Sequence, residues 1–409
     1  MTADAEPEGR WSLLAILATA VLLALGTWFS ATAVAPSLER EWGLDRVGLA
    51  SLTVAVQLGF AAGALGLAAI GAPDVIPART LIATGAGVAA LANAGFALVS
   101  TDLVTALPFR FLTGLGVAAV YPVAMKVLAG WFTDRRGLAV GVLIGGITIG
   151  SALPHLLRAA GLAVALDWQA VVLAASALAL VGAGLALTVR DGPFATAASR
   201  FSPAVARAAF REPSVRLANV GYLGHMWELY AMWSWIPVFL AASLAATGVD
   251  SGDAPLAAFA VVAAGGIGCV VAGALADQYG RTTLTVAAMA LSGSSAIVTG
   301  LLFGAAPALV VGVAVIWGVT VVADSAQFST AISELSPPGT AGSALALQTA
   351  TGFLLTAATI YLVSLLDPTD AAGWRIAFAL LAIGPAIGII AMLRLRGRPD
   401  AAKMAGGRR

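Results

Sequence analysis

Residues 273–281 read GALADQYGR, and this short polar stretch separates two long apolar runs, 254–276 and 282–304. Each run has the roughly 20 mainly apolar residues that a helix needs to cross the hydrocarbon core of a bilayer. The stretch between them therefore predicts a turn that joins two membrane helices. Within the turn, Asp277 can cap a helix start and pair with Arg281, which would hold the two helices together at the cytoplasmic face.

The composition of the whole chain also indicates a membrane protein. Of its 409 residues, 60% are hydrophobic and only 11% are charged, and the mean hydropathy is +0.94. A soluble domain carries about 25% charged residues, so the expected solvent here is lipid. A net charge of +1 gives no sign of nucleic-acid binding. One cysteine and two histidines exclude an internal disulfide and argue against a zinc site.

Membrane-length apolar runs recur along the chain, separated by turn residues and charges. Twelve such runs are found, at about 11–35, 47–70, 80–100, 104–128, 137–159, 167–189, 214–242, 254–276, 282–304, 307–330, 341–366 and 373–394. The first run is too long for a signal peptide, and the residues before it are acidic, so it is predicted to be a retained membrane helix. No GxxxxGK[ST] motif is present, so ATP is not expected as the energy source. No cofactor is expected.

The distribution of lysines and arginines predicts the orientation. If the N-terminus is cytoplasmic, only Arg40, Arg46, Arg158 and Arg375 fall outside, Arg110 lies within a span, and all the other basic residues fall inside. This excess on one side is the positive-inside pattern of membrane proteins. Both termini are therefore expected in the cytoplasm.

The chain also divides into two similar halves. A long basic loop separates the first six runs from the last six, and the sequence AGAL occurs at 62–65 and again at 272–275, at the same end of the second and eighth runs. Such internal repeats are common in transporters. We predict an all-α membrane protein with an N-terminal six-helix bundle (1–189), a cytoplasmic loop (190–213) and a C-terminal six-helix bundle with a basic tail (214–409).

Two motifs resemble those of the major facilitator superfamily. GALADQYGR, through Gly273, Asp277, Gly280 and Arg281, is similar to the loop signature of that family, and RFLTGLG at 110–116 is similar to its span-four motif. The resemblance implies two pseudo-symmetric bundles, a gating role for Asp277, Gly280 and Arg281, and a monomer in a bacterial cytoplasmic membrane. It also implies that spans one, four, seven and ten line a central cavity. RRGLAVG at 135–141 is more similar to the nitrate, cyanate and monocarboxylate branches than to the drug antiporters.

Charged residues in the middle of a span need a reason, because each costs about 2.5–3.5 kcal/mol or more. Glu228 lies at the predicted midplane of span seven, with His225 one turn away, and Asp324 lies in span ten. Burial disfavours a charged carboxyl group, so these residues could carry a proton. The alternatives are a fixed hydrogen bond from Glu228 to a neighbouring helix, a packed neutral His225 and a structural cap at Asp324.

Candidate substrate-binding residues follow from the same cavity. Arg110 could bind an anionic substrate, or it could form a structural pair with an acidic residue. Gln327 lies one turn from Asp324. The uncharged candidates are Trp28, Tyr121, Trp233 and Gln348, although aromatic residues at helical spacing more often belong to a core.

Three functions remain open from the sequence. The preferred one is a secondary transporter of a small solute, favouring an anion, coupled to protons through Glu228. The second is proton-coupled export of amphipathic or cationic compounds, with Glu228 and Asp324 as counter-charges. The third is a membrane enzyme or sensor. An enzyme would need a cluster of histidines, acids or serines at one interface, and the sequence shows no such cluster.

Overall fold

The computed structural model describes residues 8–133, 135–194, 202–248 and 251–408, without the side chains of Ser251 and Asp277. Within these ranges the chain is helical, with no β-strand. Eleven helical segments of the described chain are long and apolar enough to cross a membrane, and Arg10–Leu25 is a shorter apolar helix. The predicted all-α membrane fold is confirmed.

We number the membrane segments as spans one to twelve. The first six are Arg10–Leu25 with Ser30–Ala33 and Ala35–Trp42, Arg46–Ala69, Ala78–Val99, Leu103–Val117 with Tyr121–Ala129, Arg136–Ala163, and Trp168–Ala186. The last six are Pro213–Ala246, Ala254–Tyr279, Arg281–Leu301, Pro307–Val321 with Ser325–Leu335, Ala341–Leu366, and Ala371–Leu381 with Ile383–Arg396. Short helices outside the spans are Ala72–Val75, Pro203–Ala209, Ser251–Asp253 and Pro399–Gly407.

We call the side that carries Arg10 and Arg396 the terminal face and the other side the opposite face. Several spans start at the opposite face on an aspartate that caps the helix. Asp45, Asp102 and Asp370 each accept the free backbone N–H group three residues later, at 2.7–2.8 Å. The N–H of Thr105 is the main reason why the pKa of Asp102 is lowered.

Four spans are interrupted within the membrane, span twelve only at Ala382 and the other three by breaks of three or four residues. Span one breaks at 26–29, span four at 118–120 and span ten at 322–324. The sequence predicted a continuous first helix over 11–35, which is wrong because the helix ends at Leu25. The first helices of spans four and ten are each 15 residues long and each ends in a three-residue break, which matches the expected duplication.

The two bundles meet along two helix pairs, spans five and eight and spans two and eleven. Glycines allow the close approach of spans five and eight. A Cβ on Gly141 would lie 2.5 Å from the carbonyl oxygen of Cys269, and a Cβ on Gly273 would lie 2.5 Å from that of Gly137. Such small-residue contacts are typical of packed membrane helices. The division points at 189 and 214 stay predictions.

The predicted latch after span eight is only partly described. Gly280 has a φ of 88°, a conformation that favours glycine. The side chain of Asp277 lies outside the described part of the chain, so its pair with Arg281 stays a prediction. Arg281 binds Glu334 through Nε at 2.7 Å and Nη2 at 2.8 Å, which ties span nine to the end of span ten.

Candidate functional site

A cavity lies between the two bundles near the middle of the spans. Spans one, four and five line it from the N-terminal bundle, and spans seven, ten and eleven line it from the C-terminal bundle. Its lining residues are Leu25, Trp28, Tyr121, Ile144, Ile147, Thr148, Tyr222, Met226, Leu229, Tyr230, Trp233, Val322, Ser325, Ser329, Thr349 and Phe353. The cavity is therefore mainly apolar and aromatic, and its lining side chains carry polar atoms only as hydroxyl groups and as the indole N–H groups of Trp28 and Trp233.

Aromatic side chains from both bundles meet at the end of this cavity that is nearer to the opposite face. Trp28 lies 5.6 Å from Tyr230 and 5.5 Å from Phe353, and Phe29 lies 5.8 Å from Trp233, between ring centroids. Because these rings belong to opposite bundles, the layer closes the central cavity on that side. We call these five residues the aromatic layer.

Toward the terminal face, the central cavity continues into a second one. The two cavities share Tyr121, Ser329 and Thr349. The second cavity reaches Pro73, in the loop after span two, and Gly342, an exposed residue at the start of span eleven. The central site is thus connected to the terminal face and separated from the opposite face.

A chain of polar groups leads from the cavity to a buried carboxyl group. Ser325 lines the cavity, and its Oγ lies 3.0 Å from Nε2 of His225. Nδ1 of His225 lies 2.8 Å from Oδ1 of Asp324, and both residues are 2% exposed. The break at 322–324 places Asp324 and Ser325 next to this histidine. The Nδ1–Oδ1 contact has the distance of an ion pair but not the geometry of a hydrogen bond, so Oδ1 of Asp324 accepts no hydrogen bond in the described chain. His225 and Ser325 thus place polar atoms between Asp324 and the cavity, an arrangement that the sequence did not predict.

Glu228 is not part of this chain. Its Oε1 accepts a hydrogen bond from Nε1 of Trp317 at 2.8 Å, its Oε2 accepts one from the hydroxyl of Ser292, and it is 2% exposed. Span seven presents Tyr222, Met226, Leu229, Tyr230 and Trp233 to the cavity, and at 100° per residue Glu228 points away from that stripe. The expectation that Glu228 faces the cavity is wrong, because spans nine and ten hold it on the other side of the helix.

Arg110 lies behind the cavity and does not line it. Its side chain is fully buried, and it donates to the carbonyl oxygens of Thr27 and Trp28, to Ser30 and to Oδ1 of Asn93, at 2.5–3.2 Å. The carbonyl groups belong to the break in span one, where no helical N–H group is available to them. The guanidinium thus caps a broken helix, and it binds neutral acceptors where the sequence suggested an anion or an acidic residue.

Of the other five predicted substrate residues, three line the cavity and two do not. Trp28, Tyr121 and Trp233 line the cavity, as predicted. Gln327 does not, because its Oε1 accepts a hydrogen bond from Arg281 at 2.8 Å. Gln348 is buried beside the lining residue Thr349, and neither of its amide atoms has a partner in the described chain.

Sequence reasoning missed several lining residues, above all Tyr222, Met226 and Ser325. On span seven the signal was present, because residues 222, 226, 229 and 233 form one helical stripe of large side chains. Ser325 could not be found in this way, because it lines the cavity at the restart of a broken helix.

Comparison with known proteins gives matches along nearly the whole chain. The profile of the Major Facilitator Superfamily matches residues 16–360. The 4-hydroxybenzoate transporter PcaK of Pseudomonas putida is 33% identical over 123 residues, which are 29% of this chain and 26% of the relative. The MFS-type transporter pytF of Aspergillus terreus is 27% identical over 171 residues, 42% of this chain and 56% of the relative. The chain thus matches about a quarter to about half the length of these curated relatives.

Solved structures match over almost the full length. A D-xylose-proton symporter gives a TM-score of 0.72 at 17% identity, covering 96% of this chain and 99% of the other. A bacterial homologue of the human lysosomal transporter Spinster, in an inward-facing and unoccupied conformation, gives 0.71 at 16% identity, covering 97% and 100%. At these identities the likeness shows the fold alone.

Proposed function

This chain belongs to the major facilitator superfamily, and on that premise we propose that it is a secondary active transporter that moves a small solute by alternating access. The cavity between the two bundles supports this proposal, since it lies mid-span and is closed on one side by the aromatic layer. Rocking of one bundle against the other would open the same site to the other face.

The distribution of basic residues supports a cytoplasmic terminal face. The membrane we propose is a bacterial inner membrane, as the resemblance of the motifs implied. In that orientation, the second cavity leads from the central site to the cytoplasm. The described conformation is then the one that exchanges solute with the cell interior.

Transport is coupled to protons through the chain of Ser325, His225 and Asp324, and the contact of this chain with the cavity is the observation that carries the proposal. A charged Asp324 with a neutral histidine leaves a net charge in a low-dielectric interior, whereas a proton on the pair removes it. Without the proton, the pair of His225 and Asp324 therefore favours a cavity that is open to water. With the proton bound, the pair tolerates a closed cavity. This difference links proton binding to the conformation of the bundles.

Glu228 was the coupling residue that the sequence favoured, so it provides the matched comparison. The experiment uses purified protein in proteoliposomes, with a solute found by a thermal-shift screen of small carboxylates, uncharged aromatics and lipophilic cations. We expect Asp324→Asn to lose accumulation driven by a pH gradient while it keeps solute exchange at equal pH. Glu228→Gln should accumulate solute and be less stable, because its carboxyl group serves as a helix contact.

The opposite result would return the coupling role to Glu228. If Glu228→Gln loses accumulation and Asp324→Asn retains it, the proton passes through the buried carboxyl group between spans seven, nine and ten. If both variants accumulate solute as the unmodified protein does, neither residue couples transport to protons.

A second candidate is the export of cationic amphipathic compounds. The aromatic lining favours it, since cations bind the faces of aromatic rings, and Asp324 lies directly beside the lining residue Ser325. An anion, which Arg110 had favoured, would meet no lysine or arginine in the described lining. The same panel of solutes separates these cases.

A further inference from the structure

We infer that the central cavity binds an uncharged, planar aromatic solute whose oxygen atoms accept hydrogen bonds from the indole groups of Trp28 and Trp233. This inference names the substrate class of the transport proposed above, and in that sense it rests on it.

The first observation is a pair of buried donors without acceptors. Nε1 of Trp28 and Nε1 of Trp233 have no hydrogen-bond partner in the described chain, although both side chains are only 2% exposed. Buried indole N–H groups normally find a partner. Because both residues line the cavity, an oxygen atom of a ligand can supply the missing acceptor.

The two donors come from opposite bundles. Trp28 lies in the break of span one and Trp233 lies on span seven, and the ring centroid of Tyr230 lies 5.6 Å from that of Trp28 and 5.3 Å from that of Trp233. A solute that accepts from both indoles would connect the bundles. Binding would therefore favour the conformation in which the two donors are close together.

The second observation is the chemistry of the lining. Tyr121, Tyr222, Tyr230 and Phe353 add four rings to the two indoles. Aromatic rings favour offset or edge-to-face contacts with another ring, so a flat aromatic solute is suited to this site. No hydrogen bond of the three tyrosine hydroxyls is found in the described chain, and these groups offer further polar contacts to the edge of such a ring.

The third observation is the absence of charge in the described lining, which contains no lysine, arginine, aspartate or glutamate. Arg110 is occupied by carbonyl oxygens, and Asp324 lies behind Ser325 and pairs with His225. An ionised solute would lose its water without gaining a counter-charge in the site, which is costly. An uncharged solute avoids this cost.

Four probes that share size and substituent pattern test the inference by isothermal titration calorimetry on the purified full-length protein. They are 4-hydroxybenzamide (uncharged and planar), 4-hydroxybenzoate (anionic), 4-hydroxybenzylamine (cationic) and 4-hydroxycyclohexanecarboxamide (uncharged and not planar). We expect 4-hydroxybenzamide to bind about tenfold or more tightly than each of the other three, because it alone is both planar and uncharged.

Substitutions of the two tryptophans then test whether their indole N–H groups donate hydrogen bonds to the ligand. Trp28→Phe and Trp233→Phe keep a ring and remove the N–H group, so each should weaken binding of 4-hydroxybenzamide about tenfold. Trp374→Phe is the matched control, because Trp374 is also buried with an unpartnered Nε1, but it lies in span twelve away from the cavity. The affinity of the Trp374→Phe variant for 4-hydroxybenzamide should not change. Thermal unfolding curves test whether all three variants are folded.

Equal or tighter binding of a charged probe, unchanged affinity in both Trp28→Phe and Trp233→Phe, or no binding of 4-hydroxybenzamide would each overturn the inference. Calorimetry needs no gradient, so its result is separate from transport. Binding with the expected ranking but without uptake into proteoliposomes supports the ligand class and contradicts the transport proposal.

Discussion

The buried ionisable side chains that were singled out in the spans are each paired inside their own bundle. Arg110 binds residues of spans one and three, Glu228 binds residues of spans nine and ten, and Asp324 contacts His225 of span seven. None of these contacts crosses between the bundles. The bundles can therefore move against each other without exposing an unpaired charge to the low-dielectric interior, which would be costly.

Arg110 holds Trp28 in place, so its replacement should affect both stability and binding. Lysine keeps the charge but lacks the planar fork that reaches several acceptors at once. We expect Arg110→Lys to lower the stability by about 1–3 kcal/mol, the cost of leaving a buried acceptor unpaired. It should also weaken binding of 4-hydroxybenzamide, because the carbonyl oxygen of Trp28 loses its donor. Thermal unfolding and calorimetry measure the two effects.

The control is Arg375→Lys, since Arg375 is exposed at the start of span twelve and should tolerate the change. If Arg110→Lys is as stable as the unmodified protein, the guanidinium does not cap the broken helix. If it selectively loses binding of 4-hydroxybenzoate, Arg110 contacts an anion directly, as the sequence suggested.

The sequence identified the polar residues of the interior but not their partners. Glu228 stood out because almost all its neighbours are apolar, yet span seven is apolar on nearly every side, so its pattern did not show which side meets the cavity. The partners of Arg110 were hidden for another reason. They are backbone carbonyl groups that become free only because span one breaks at GTWF (26–29), a stretch without proline.

At the scale of helices, apolar runs predicted the number and order of the spans, and they did not predict the breaks. A break in a membrane helix is stable only when groups from other spans satisfy the freed backbone atoms. In span one, these groups come from Arg110 in span four. Such a tertiary contact leaves no local pattern, whereas the length of each apolar run is a local property.

The contact between spans five and eight depends on glycines and can be tested with a single methyl group. Gly141→Ala places a Cβ 2.5 Å from the carbonyl oxygen of Cys269, so one backbone has to shift. Overpacking of this kind costs about 1–3 kcal/mol. We expect a lower unfolding temperature and slower solute exchange, because this helix pair is one of the two along which the bundles meet.

Gly312→Ala is the matched control for Gly141→Ala. Gly312 is an exposed residue in the helix Pro307–Val321, and an added Cβ there meets nothing within 4 Å. Alanine also favours a helix over glycine, so stability should stay equal or rise slightly. Equal effects of the two substitutions would show that the glycine contact does not set the spacing of the bundles.

At the scale of the whole molecule, the two faces differ in the contacts they make. At the opposite face, Arg46 lies 3.7 Å from Asp367, and Ser51 and Tyr361 share a hydrogen bond of 2.7 Å, so spans two and eleven are joined across the bundles. At the terminal face, the ion pair of Lys126 with Asp74 stays within the N-terminal bundle. These side-chain contacts join the bundles at the opposite face, while toward the terminal face spans five and eight still pack closely at Gly137 and Gly273.

Removing the contacts across the opposite face should shift the conformational equilibrium. The double variant Tyr361→Phe/Asp367→Asn loses one hydrogen bond of about 1 kcal/mol and one exposed ion pair of at most about 1 kcal/mol, so the population open at this face should rise about tenfold. Spin labels on Arg40→Cys and Thr369→Cys, in a Cys269→Ala background, measure the distance across this face by pulsed electron resonance. Asp74→Asn, which breaks a contact inside one bundle, should leave the distribution unchanged. If the double variant also leaves the distance distribution unchanged, closure of the opposite face depends on the aromatic layer. Conformational control then lies at the solute site, where Trp28 and Trp233 would contact the ligand directly.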